Sequence, residues 1–126
     1  MGTLIAIACG ASLGALLRYG LGLWLQNVSF CFPLGTWVAN LFGGLLIGLT
    51  AGFFLEPRFV VLRPFFVTGF LGALTTFSTF SLEVTSLLKT GQIFFALCCT
   101  MAHVVGSVCM TFLGFFLFNT FFGQSH

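Results

Sequence analysis

A chain of 126 residues that is 59% hydrophobic, 17% aromatic and only 5% charged is no ordinary soluble domain, since those carry about 25% charged residues. Its net charge of +2 comes from four basic and two acidic side chains spread along the chain, which excludes the clustered Lys/Arg footprint of a nucleic-acid binder. The length allows one small domain, and the composition places it in a bilayer.

A membrane-crossing helix needs about 20 largely apolar residues. The first stretch that qualifies covers 3–25. It lacks the basic start of a signal peptide, and further apolar stretches follow it, so it reads as a span. Gly10 and Gly14 form a GxxxG pair within it, a spacing that lets helix backbones approach closely in lipid. The connection at 27–33, with Ser29 and Pro33, breaks the helix. The second span covers 35–55 and places Gly44, Gly48 and Gly52 in one register. Asn40 lies four residues before Gly44, on the same face, and so points into protein rather than lipid. It reads either as a clamp between helices or as a donor offered to something passing. Glu56-Pro57-Arg58 forms the second connection.

The third segment covers 60–88. It contains Gly69 and Gly72, then five hydroxyls within seven residues: Thr75, Thr76, Ser78, Thr79 and Ser81. Glycine costs a helix about 1 kcal/mol against alanine, and Ser and Thr compete for backbone groups. The pattern predicts a broken helix near 73–77, which survives at membrane depth only when buried in protein or lining a cavity. The competing reading is a continuous helix whose hydroxyls bond back to its own carbonyls. Glu83 follows Thr79 and Phe80 at four and three residues, so it shares a face with them. An intramembrane carboxylate is a functional candidate, unless it sits near enough to the interface to be merely solvated. Residues 89–92 connect to the fourth span, 93–122, where His103, Ser107 and Thr111 recur at i, i+4 and i+8. A lone histidine is commonly a packing residue; three polar groups in register favour a wetted or ligand-facing track.

Cys9, Cys31, Cys98, Cys99 and Cys109 are odd in number and never spaced as CxxC, and are read as small hydrophobes rather than ligands or disulfides. The chain offers no carboxylate pair, no Cys/His cluster, no phosphate loop and no Ser/His/Asp set, so enzyme readings fail. What remains is a file of neutral donors beside Phe77 and Phe80. Phenyl rings carry a positive edge, and donors without fixed central cations suit a small anion that must bind and still leave. Four spans put both termini and the second connection on one side, with Arg58 and Arg63. Lys89 lies on the other, joined by Arg18 if it snorkels. Two basic residues against two give no orientation bias, which predicts insertion both ways and pairing as an antiparallel dimer.

The stretches "GASLGALLRYGLG" at 10–22, "GTWVANLFGGLLIG" at 35–48 and "VTGFLGALTTFSTFSLE" at 67–83 closely resemble the Fluc fluoride-channel family, also called CrcB. The resemblance extends over all four spans. It implies an all-α membrane protein: a dual-topology, antiparallel homodimer in the bacterial cytoplasmic membrane that exports fluoride passively and relieves its toxicity. Its partners are then fluoride, a second copy and membrane lipid. By the same resemblance Asn40, Phe77 and Phe80 line the pore, with Thr36 beside it. His103, Ser107 and Thr111 form the polar track, Glu83 is the pore-associated glutamate, and Arg18 lies in the aqueous vestibule. The hydroxyls of Thr76, Ser78 and Thr79 join this pore set. A structural sodium ion at the dimer centre is implied on the backbone carbonyls of Gly72 and Thr75. Ala73 stands where many members have a second glycine. Two rivals are a dual-topology multidrug exporter, which relies on a first-span glutamate that is lacking here, and a structural membrane subunit without transport.

Overall fold

The computed structural model describes residues 1–28 and 32–123. Part of the 27–33 connection, including Cys31, lies outside the described residues. The chain is all-helical, with α1 (Gly2–Leu25), α2 (Leu34–Ala51), a π-helical segment (Pro64–Leu71) running into α3 (Gly72–Leu74), then α4 (Phe77–Lys89) and α5 (Ile93–Phe121). Counting Pro64–Lys89 as one, four helices among the described residues are long and apolar enough to cross a membrane, and this is a multi-pass membrane protein.

Between α2 and the π-helical segment the chain departs from expectation. Helix α2 stops at Ala51, and residues 53–55 and 57–62 form two short 3-10 turns instead of span ends. Aromatic packing accounts for this. The Phe53 ring meets Phe118 at 4.9 Å, Phe122 at 5.0 Å and Phe59 at 5.9 Å, each edge to face, a favoured geometry for ring pairs. Gly52 makes the approach possible, since a Cβ there would strike the Phe118 ring. These contacts fold the chain back over the end of α5. Pro57, which has no N–H to donate, opens the second turn.

Helices pack through their small residues. α1 lies against the π-helical segment and α2 against α5. A Cβ on Gly10 would meet the backbone of Phe65 and Phe70, and one on Gly14 the backbone of Phe70 and Leu74. Across α2, Gly44 faces the carbonyl of Ser107, and Gly48 and Gly114 meet backbone to backbone. Such contacts drive association where lipid removes the hydrophobic incentive. The fully covered side chains are correspondingly few: Ala39, Leu71 and Leu74 form the centre, with Phe80, Ala96, Cys99 and His103 also buried. Large apolar side chains such as Leu16, Phe94, Phe112 and Phe116 face outward, as a lipid-facing surface requires. Cys9, Cys98 and Cys109 share that outer surface as free thiols.

The turn after α4 is closed by Gly91 at φ +74°, with Gln92 N–H donating to the Leu87 carbonyl and Gly91 N–H to that of Leu88. This double bond is the helix-ending motif in which a left-handed residue is needed and glycine supplies it without strain.

Candidate functional site

Thr75 and Thr76 are both extended, at ψ 151° and 121°, and separate α3 from α4. The local hydroxyls dress this interruption. Thr75 Oγ1 donates to the Leu71 carbonyl at 2.9 Å. Thr76 is the N-cap of α4: its Oγ1 accepts from Thr79 N–H at 3.3 Å, lies 3.2 Å from Ser78 Oγ, and donates to Thr79 Oγ1 at 3.2 Å. Ala73 sits in the helical turn just before the interruption without a positive φ, so its methyl group introduces no backbone strain.

Asn40 reaches the interruption from α2. Its Oδ1 accepts from Thr76 N–H at 2.8 Å, and its Nδ2 donates to the Thr76 carbonyl at 3.2 Å. The side-chain amide thus supplies the acceptor that the Thr76 N–H lacks and adds a second donor to the N-cap carbonyl. Nδ2 also lies 3.2 Å from His103 Nδ1. Since Nδ2 can only donate, Nδ1 accepts, and the proton of the neutral ring sits on Nε2. That nitrogen is buried and finds no partner among the described residues. His103 is 4% exposed, with its ring 4.7 Å from that of Phe80 and 6.2 Å from that of Phe32. Trp37, 5.6 Å from Phe32, is anchored by its Nε1 donating to the Ala102 carbonyl at 3.0 Å.

One helical turn from Asn40 and from Phe80, Thr36 and Glu83 meet. Thr36 Oγ1 donates to Glu83 Oε1 at 2.5 Å, while Oε2 is buried without a partner among the described residues. Phe77 and Phe80 pair at 5.5 Å with planes 61° apart. Phe80 is 8% exposed but Phe77 is 77% exposed, standing off the surface of the chain.

Asn40, Gly72, Thr75, Thr76, Phe77, Phe80, His103 and Ser107 line one open groove of about 550 Å³. Thr111 lines a separate hollow of about 230 Å³ with Ser107, and its hydroxyl bonds back to the Ser107 carbonyl at 3.0 Å. Thr36, Glu83, Ser78 and Thr79 are not among the residues lining the groove. Arg18 is elsewhere: its Nε donates to the Ala73 carbonyl at 3.0 Å. Neither the Thr36–Glu83 pair nor the destination of Arg18 was expected as a contact from sequence. The first joins residues 47 apart and leaves no periodic trace. The second had a signal, because Gly10, Gly14 and Arg18 share one spacing.

Fold and site together define a small multi-pass membrane protein with a polar cluster around Asn40, Thr76 and His103. The CrcB-like protein, Camphor Resistance (CrcB) family matches residues 5–115. The chain is 51% identical over 121 residues to the "Fluoride-specific ion channel FluC" of Marinobacter nauticus, covering 93% of this chain and 94% of that protein. It is 46% identical to the protein of that name from Pseudomonas aeruginosa, covering 97% and 98%. To the one from Polynucleobacter asymbioticus it is 44% identical, covering 93% and 95%. The chain belongs to the CrcB family, one of ion channels and not of enzymes.

Proposed function

We propose that this chain is a fluoride-selective channel that lets the anion leave the cell passively across the bacterial cytoplasmic membrane, working as an antiparallel, dual-topology homodimer. The observation that carries the reading is His103 Nε2: a buried N–H donor with no acceptor among the described residues, packed against the Phe80 ring. Buried donors are rarely left unpaired, and an anion passing the positive edges of Phe77 and Phe80 supplies the acceptor. The name shared by the relatives identifies that anion as fluoride. Ser107 and Thr111 continue the polar face along α5, and Thr36 with Glu83 extends it along α2 and α4. The apolar sides of the groove, and Phe77 standing out from it, fit coverage by a second copy.

The interruption serves as the break in the third span. The helical partner of the Gly72 carbonyl would be Thr76 N–H, which Asn40 takes; that of the Thr75 carbonyl would be Thr79 N–H, which Thr76 Oγ1 takes. Two side chains therefore divert two amides, and the carbonyls so released belong to the residues that fit a sodium ion. Neutral carbonyl oxygens at the negative end of a helical segment suit that cation without a carboxylate. Bound there, sodium would supply fixed positive charge at the dimer centre, while this chain's residues orient the carbonyls towards it.

The test is efflux from fluoride-loaded liposomes followed with a fluoride electrode. Fluoride should leave far faster than chloride, and a sodium gradient alone should drive no flux. Vesicles as tight as protein-free ones would refute the reading.

A further inference from the structure

Arg18 is the charged residue of α1, and it lies seven residues before the helix ends, about 10 Å from the end at 1.5 Å per residue. A long cationic side chain at that depth ordinarily snorkels to the interface. Here its Nε donates to the Ala73 carbonyl at 3.0 Å, half-buried, across 55 residues of sequence. The glycine stripe explains why it can. Gly10 and Gly14 press α1 directly onto the backbone of residues 65–74, and Arg18 is the next member of that stripe. The helices are so close at this turn that Nε, not the terminal amino groups, meets the carbonyl. Ala73 belongs to the last turn before the chain becomes extended, so the guanidinium brings positive charge to the negative end of a helical segment.

Arg18 and Asn40 hold the interruption from opposite sides. Arg18 takes the Ala73 carbonyl towards α1, and Asn40 takes both main-chain groups of Thr76 towards α2. Gly72 and Thr75, the residues interleaved with these, face the groove. We propose that Arg18 is a positioning residue, whose guanidinium fixes the rotation of the half-helix ending at Leu74 and so the direction in which Gly72 and Thr75 meet the groove. Its effect on flux rests on the channel reading; its effect on the backbone does not.

The experiment compares the full chain with Arg18→Lys and Arg18→Met in lipid nanodiscs and liposomes. Lysine keeps the charge but lacks the planar N–H fork. Amide hydrogen exchange at residues 75–79 should rise roughly tenfold in both variants, the size of a lost charge-assisted bond, with residues 104–114 of α5 unchanged. Fluoride flux should fall in both, and the deficit should persist at about 1 M salt, where charge attraction is screened beyond about 3 Å. Wild-type exchange in both variants, with flux restored by lysine or by salt, would reduce Arg18 to an attractor of anions and overturn the proposal. A rise spread evenly over every span would overturn it too, by making Arg18 a general packing residue. A wild-type protein that passes no fluoride, with the local exchange effect intact, would sink the channel reading and leave the positioning role standing.

Discussion

Replacing Asn40 with alanine removes three hydrogen bonds at once, two to Thr76 and one to His103. Interhelical hydrogen bonds in membranes average about 0.6 kcal/mol each, so the bonds alone amount to about 2 kcal/mol. The substitution also strands the N–H of Thr76, and an unsatisfied buried polar group costs about 1–3 kcal/mol. The groove is open on one side, so water recovers part of that penalty. We therefore expect Asn40→Ala to lose about 2–4 kcal/mol, the range between the bonds alone and one fully stranded group. Reversible unfolding in mixed micelles, titrated with SDS, reads this directly, and fluoride flux should fall in parallel. Asn40→Asp separates the two effects. Its carboxylate still accepts from Thr76 N–H, but its second oxygen opposes the Thr76 carbonyl and puts negative charge on the groove. Flux should then fall further than stability does. An alanine variant with wild-type stability and wild-type flux would refute the claim that this amide holds the interruption.

Phe77→Ile and Phe80→Ile should each reduce fluoride efflux from liposomes. Phe77→Ile should leave stability nearly unchanged because that ring is exposed, whereas Phe80→Ile should also destabilise because the ring packs on His103; wild-type flux in both would remove the rings from the mechanism. Gly114→Ala should weaken the α2–α5 contact by about 1–3 kcal/mol, as overpacking does, because its Cβ would lie 2.7 Å from Leu49 N. Gly20→Ala, with nothing within 4 Å, should not, and the same SDS titration compares them. A C-terminal reporter should appear on both faces of the membrane in comparable amounts, and two added lysines at 56–58 should bias it to one face and lower flux when that variant is expressed alone. Insertion of the unmodified chain in one orientation only would rule out the antiparallel pair.

The spans were legible because lipid leaves a chain few options: a long apolar run without breakers must be a helix. Residues 53–55 and 60–62 read as span ends for the same reason, whereas the structure has short turns there, with Phe53 packed on Phe118. The hydroxyl-rich stretch was visible as an anomaly of composition, yet sequence left open whether its side chains served their own helix or an interruption. In the structure Thr75 bonds back to Leu71 and Thr76 caps α4. Asn40 was placed on the right face by its distance from Gly44. Its partners were not readable, because an amide that imitates a backbone group leaves no pattern in the residue it serves.

The order in which the chain leaves the ribosome gives the Asn40–Thr76 pairing a further consequence. A bare N–H in hydrocarbon is costly, and a growing chain meets that cost before its last helix exists. Every group that holds the interruption, from Arg18 through Asn40 to the Thr76 cap, precedes α5 in the chain. The first three spans can therefore enter lipid with the Thr76 N–H already paired. The last helix then arrives as a closing piece, bringing His103 to an amide already in position and Gly114 to a waiting face of α2. Biogenesis of this protein should consequently tolerate a delayed or separately supplied fourth span far better than a delayed second one.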